Sequence, residues 1–79
     1  MEYDKDKVDD YTLALLTLVM WSEKNFGTRA WKGFDWATMD RLHEKGYIYN
    51  PKSKAKSVWV TPEGEAKAKE LFETFFGTQ

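Results

Sequence analysis

In the stretch YIYNPKSKAKSVWV (47–60), Lys52, Lys54 and Lys56 fall at alternate positions between two aromatic, β-rich runs. Ammonium groups spaced this way on a projecting loop can each sit over a phosphate, adding affinity that ignores base sequence and weakens with salt. Lysines on an exposed hairpin also serve solubility and prevent edge-to-edge strand pairing, so both roles stand. A second motif, RAWKGFDW (29–36), interleaves Arg29 and Lys32 with Trp31, Phe34 and Trp36. Such a pattern suits stacking on bases or gripping an anion beside an aromatic ring. Its alternative is structural: a small domain needs its aromatics for a core or an interface, with Arg29 and Lys32 lying over them as amphipathic lids. The structural alternative is the favoured one.

The charge is close to neutral overall, formally -1, but unevenly spread. Residues 1–23 hold two lysines against six acids, and residues 57–79 hold two against four. Residues 24–56 hold eight cations, Lys24, Arg29, Lys32, Arg41, Lys45, Lys52, Lys54 and Lys56, against Asp35, Asp40 and Glu44. Any polyanion would have to meet this middle block. Catalytic chemistry finds no support. His43 is the single histidine, there are no cysteines, and no serine sits in a nucleophile motif. A lone histidine near a helix C-terminus ordinarily complements the helix dipole. No cluster of acids and histidine has metal-ligand spacing, and no glycine-rich phosphate loop occurs. The expectation is a non-enzyme with no cofactor and no metal.

The 79 residues suffice for one compact domain, near the lower size limit for stability without staples. Without cysteines there is no disulfide framework. An aromatic content of 16% excludes the composition of a disordered chain. The acidic start MEYDKDKVDD lacks the order of a signal peptide, and no apolar run is long enough for a membrane span. A cytoplasmic protein with no membrane partner is expected.

A first helix is expected from about Val8 to Trp21, with Asp6, Asp9 and Asp10 placed to cap or complement its N-terminus. Val8, Tyr11, Leu15, Leu18 and Val19 form one apolar stripe on it, and Leu13, Leu16 and Met20 form a second. Asp35 to Gly46 reads as a second helix, with Asp35 as cap, Phe34 and Met39 as a hydrophobic staple and Gly46 as left-handed stop. Its inner face is Trp36, Met39 and Leu42, with Ala37, Asp40, Arg41, Glu44 and Lys45 outward. Tyr47–Tyr49 and Ser57–Val60 read as a hairpin broken at Asn50 and Pro51, with Val58 and Val60 on one face and Trp59 on the other. An outward Trp59 marks a binding surface or a dimer contact. Thr61 and Pro62 open a third helix that buries Ala68, Leu71, Phe72 and Phe75, flanked by Phe76, and ends at Gly77.

The run RLHEKGYI, a basic loop, and then SVWVTPEGEAKAKEL resemble the second half of winged-helix regulators of the multiple-antibiotic-resistance and phenolic-acid regulator type. In those, a recognition helix, a β-wing and a capped last helix follow in this order, which matches residues 35–71. RAWKGFDW with this wing also resembles a family of short bacterial proteins known as a domain of unknown function, a likeness that spans most of the chain and brings no activity. The regulator pattern is broken at 22–34, SEKNFGTRAWKGF, where the supporting helix of a helix-turn-helix would be. It is expected to be irregular or a single turn.

The expected fold is therefore α+β, a small winged-helix-like domain over residues 1–79: helix, irregular segment, helix, β-hairpin wing, C-terminal helix. Two functions follow from it. One is nucleic-acid binding, DNA included, through Lys52, Lys54 and Lys56, with Arg29, Lys32, Arg41 and Lys45 as secondary contacts. The other is an interaction module on the same scaffold, since fold does not fix function. The two stripes of the first helix and the aromatic end of the third exceed what one thin core absorbs. A homodimer through Leu13, Leu16, Met20, Phe72 and Phe76 is expected.

Overall fold

In the computed structural model, which describes residues 1–78, Asp4 accepts a hydrogen bond from the Lys7 backbone N–H at 3.0 Å and caps helix α1 (Lys5–Leu16). Asp4 thus takes the capping place expected of the later aspartates. The helix stops five residues earlier than expected. Thr17–Val19 tighten into one 3₁₀ turn and the chain becomes extended at Met20, within the branched and aromatic run TLVMW that favours a pleated surface.

The segment expected to be irregular is a β-hairpin. β1 (Met20–Glu23) and β2 (Gly27–Trp31) pair antiparallel, Met20 opposite Ala30 and Trp21 opposite Arg29. Asn25 and Gly27 turn the chain with φ of 69° and 117°, and the Phe26 N–H donates to the Glu23 carbonyl at 2.9 Å. Asparagine and glycine tolerate positive φ at little cost, so NFG is turn chemistry.

Helix α2 (Trp36–Glu44) begins as expected: Asp35 accepts from the Thr38 N–H at 3.1 Å and its hydroxyl at 2.8 Å. Both bonds hold the Asp35 carboxyl below its ordinary pKa, the hydroxyl's first. β3 (Ser57–Val60) takes its main pairing from β2, Thr28 opposite Val60 and Arg29 opposite Trp59, which gives the order β1-β2-β3. The expected hairpin with 47–49 survives as one bridge, Ile48 to Val60, bounded by the bonds from the Tyr49 N–H to the Trp59 carbonyl and from the Thr61 N–H to the Tyr47 carbonyl.

Thr61 caps helix α3 (Pro62–Phe76) through the Gly64 N–H at 2.9 Å, while its hydroxyl donates to the Gly46 carbonyl at 2.7 Å. A Cβ at Gly64 would fall 1.8 Å from the Tyr47 carbonyl oxygen, so only glycine lets this arm cross the helix start. The three helices and three-stranded antiparallel sheet make an α+β architecture consistent with a small winged-helix-like domain.

The core joins Leu13 and Leu16 of α1, Ala30, Val58 and Val60 of the sheet, Met39 and Leu42 of α2, Ile48, and Ala68 and Leu71 of α3. Tyr11 stacks on Phe75 with ring centroids 4.2 Å apart, fastening α1 to α3. Leu13 and Leu16 are fully buried within the chain and so cannot form a dimer contact; α1 packs on α3 and α2, which takes up the stripe expected to face a partner. Met20 and Phe72 are half-buried against the same core, and Phe76 is partly exposed. The stripe left outward is the other one, with Tyr11 and Leu15 partly exposed and Leu18 at 67% exposure.

Candidate nucleic-acid interface

Strand alternation divides the sheet into two faces. Thr28, Ala30, Val58 and Val60 point to the core, so Trp21, Arg29, Trp31, Ser57 and Trp59 point the other way. In register, Arg29 lies between Trp21 on β1 and Trp59 on β3. Its guanidinium carbon sits 4.3 Å from the Trp59 ring centroid, Nε donates to the Ser57 hydroxyl at 2.7 Å, and Nη2 donates to the Ser57 carbonyl at 3.1 Å. Trp21 and Trp31 touch at 5.0 Å between centroids, and the Trp21 indole N–H donates to Glu23 at 3.0 Å. The result is an aromatic sheet face with one locked cation at its middle.

At the β3 start this face runs into a groove of about 500 Å³ formed by Trp31, Lys32, Gly33, Trp36 and the loop Ser53–Lys56. Trp31 is 51% and Trp36 69% exposed. Trp36 was expected inward; the inward places on α2 belong to Thr38, Met39 and Leu42, and Asp35 sets the helix phase that turns Trp36 out. The groove thus unites RAWKGFDW with the lysine loop, two motifs far apart in sequence.

Lys52, Lys54 and Lys56 are exposed and make no ion pair among the described residues. Lys32 behaves differently. Its ammonium donates to the Pro51 carbonyl at 2.6 Å and to the Ser53 carbonyl and hydroxyl, each at 3.0 Å. All three of its protons find acceptors, so Lys32 fastens the loop that carries Lys54 and Lys56 and has no proton left for a phosphate.

Arg41 and Lys45 are likewise committed within the chain. The Arg41 Nε donates to both carboxylate oxygens of Asp9 at 2.9 and 3.0 Å, and Nη2 lies 2.9 Å from Oδ1. Asp9 is fully buried. Lys45 reaches Asp9 and Asp6, both at 2.9 Å, and the bond to Asp6 leads the causes that raise its pKa. Asp6 in turn is lowered, first by its hydrogen bond to Lys45. These two cations knit α1 to α2, and with Asp40 and Glu44 beside them the outward face of α2 offers phosphate no free positive charge. His43 is exposed, its Nδ1 3.1 Å from the Ile48 carbonyl oxygen. No group of three acids or histidines that could hold a metal occurs among the described residues.

Sequence reasoning missed Trp21 and Tyr49, and it favoured a core or interface place for Trp31 and Trp36 over base stacking. The signal was available: read as a strand, 27–31 alternates Gly27, Arg29 and Trp31 against Thr28 and Ala30, which separates a large polar-aromatic face from a small apolar one.

A small α+β, winged-helix-like fold whose open sheet face ends in an unpaired lysine loop defines the structural class. The chain belongs to the family described as a domain of unknown function (DUF6429), whose model matches residues 4–78. It is 53% identical over 76 residues to the "Uncharacterized protein y4hR" of Sinorhizobium fredii (strain NBRC 101917 / NGR234), covering 96% of this chain and 97% of that protein. No solved structure matches the chain. Among the described residues no helix is long and apolar enough to cross a membrane.

Proposed function

We propose that this protein binds nucleic acid, with unpaired bases stacked on the sheet face and phosphates over Lys54 and Lys56. The observation that carries the proposal is the meeting of exposed Trp31 and Trp36 with two unpaired lysines in one groove. Indole faces stack on any base, and a neighbouring row of ammonium groups tracks the backbone, the combination used for single strands. Duplex reading by α2 in the manner of a winged-helix regulator has less behind it, because Arg41 and Lys45 are spent on Asp9 and Asp6. The test is a fluorescence-anisotropy titration of labelled oligo-dT and of random duplex at 50 and 200 mM salt. Single-strand binding that weakens with salt, and that the K54Q/K56Q double variant loses in part, is the expected result. Equal or tighter duplex binding, or none to either, would refute the reading.

A second reading, self-association, is favoured by a separate surface. Tyr11 and Leu15 of α1, Leu18 of the 3₁₀ turn after it and Phe76 of α3 are all exposed, and a groove beside Tyr3, Val8, Leu15 and Phe34 continues that surface. Apolar area of this kind is stabilised by pairing with a second copy. It lies on the helical layer, so pairing there leaves the sheet face free for a strand. Leu15→Glu with Leu18→Glu lies outside the core and tests the dimer without removing the fold.

A further inference from the structure

At the end of the sheet face away from the lysine loop lies a pocket of about 400 Å³ formed by Phe26, Gly27, Thr28, Tyr49, Trp59, Val60, Pro62 and Glu65. We infer that this pocket is a nucleobase subsite that prefers guanine; the inference rests on the single-strand reading above and gives it a base preference.

Three aromatic rings, a bare glycine and one carboxylate compose the site. Phe26 is 79% and Tyr49 53% exposed, so their rings are available to a ligand. Gly27 has φ +117° and no side chain, and a Cβ there would stand 3.9 Å from Cε3 and Cζ3 of Trp59. The turn therefore demands glycine, and that same glycine leaves the edge of the Trp59 ring uncovered. Glu65 supplies the polar group. Its Oε2 accepts from the Thr28 hydroxyl at 3.0 Å and its Oε1 from the Lys69 ammonium at 3.1 Å. These bonds, Lys69 first, hold its pKa down, so it is a carboxylate at neutral pH. Each carboxylate oxygen has two lone pairs, which leaves one acceptor position per oxygen.

A pocket of aromatics and a carboxylate suits either a cation or a planar ring with adjacent N–H donors. The surroundings decide between them. Arg29 already covers Trp59, and Lys69 already neutralises Glu65, so a second cation would meet like charge from both. A neutral aromatic ring meets none. Among the bases, guanine presents N1–H and N2–H side by side and can engage both oxygens of one carboxylate; thymine and adenine lack such a pair on one edge. β2 spans the distance from this pocket to the lysine groove in five residues, about 13 Å between end residues, close to four stacking steps of a nucleic-acid strand at ~3.4 Å each. One strand can occupy both ends.

The experiment compares three labelled oligonucleotides by anisotropy at fixed salt: oligo-dT, the same with one central guanine, and the same with inosine, which lacks the N2 amine. The guanine oligonucleotide should bind about tenfold more tightly than oligo-dT, the order expected for one bidentate base contact, with inosine between them. Glu65→Gln should bring all three together. Because Glu65 also holds Lys69 and Thr28, Tyr49→Ala and Phe26→Ala, both at exposed side chains, serve as variants that keep the fold and should each reduce the guanine advantage. Salt-dependent binding of oligo-dT with no gain from guanine would overturn the subsite and leave the strand reading standing. Should no oligonucleotide bind, quenching of tryptophan fluorescence by guanosine 5′-monophosphate, lost in Glu65→Gln, would uphold the subsite alone. Absence of that quenching as well would overturn both.

Discussion

Replacing Asp9 by Asn keeps the shape of the side chain and removes the charge at the one fully buried carboxylate that joins α1 to α2. Three donor groups converge on it, Nε and Nη2 of Arg41 and the ammonium of Lys45, and an amide offers them one acceptor oxygen in place of two and turns two donors toward them. Leaving a cation without its partner in a buried pair costs about 3–5 kcal/mol. The side chains of Arg41 and Lys45 keep 20% and 33% exposure, so water relieves part of that cost and the lower end, about 3 kcal/mol, applies. For a chain of 79 residues, total stability is on the order of 4–12 kcal/mol. The loss is then a large fraction of the whole and lowers the melting temperature by roughly 12–24 °C. Urea denaturation followed by tryptophan fluorescence measures it directly. Asp9→Leu with Arg41→Met should recover most of the loss, because an apolar pair asks for no charge compensation. A loss below about 1 kcal/mol in Asp9→Asn would refute the assignment of Arg41 and Lys45 to structure and return them to the pool of phosphate contacts.

Lys32→Met should weaken oligo-dT binding by freeing the lysine loop yet leave the salt slope unchanged, whereas Lys54→Gln should cut that slope by about 0.7, one single-strand phosphate; anisotropy at several salt concentrations separates the two. Gly64→Ala drives a methyl group into the Tyr47 carbonyl and should cost about 3 kcal/mol or prevent folding, read by urea denaturation. The carboxyls of Asp6, Asp35 and Glu65 have lowered pKa values in the fold. Their contribution is present above the unfolded carboxylate range and is lost as pH falls through the folded values, so the denaturation midpoint should drop below about pH 4.5. Light scattering of the wild type at high micromolar concentration should give a dimer, and the Leu15→Glu, Leu18→Glu variant a folded monomer; a monomeric wild type would remove the self-association reading.

Local chemistry makes much of this fold legible in the sequence. Asp35, Thr61, Pro62 and Gly46 are caps and stops whose function depends on three or four neighbouring residues, and each stands where its type demanded. What depended on distant partners was not legible. Whether Leu13 or Leu15 turns inward is decided by where α3 packs, and both stripes of α1 are apolar enough to serve. Whether 20–31 forms strands is decided by β3, more than twenty residues on, although NFG carried the turn. The candidate site shows the same division. The lysine loop was visible as a charge pattern, but its pairing with Trp31 and Trp36 arises from the antiparallel register of β2 and β3, which sets Trp31 opposite Ser57, and the commitment of Arg41 and Lys45 arises from Asp9, over thirty residues away.

The four tryptophan side chains give the most direct test of strand binding on the sheet face, because each indole N–H is a separate proton-nitrogen NMR signal. Titrating oligo-dT into ¹⁵N-labelled protein at low salt should shift the indole signals of Trp31, Trp36 and Trp59 together with the backbone amides of 53–56, and should leave the amides of Arg41 and Glu44 in the last turn of α2 in place. Shifts confined to α2, or no shift at any tryptophan at saturating oligonucleotide, would contradict it.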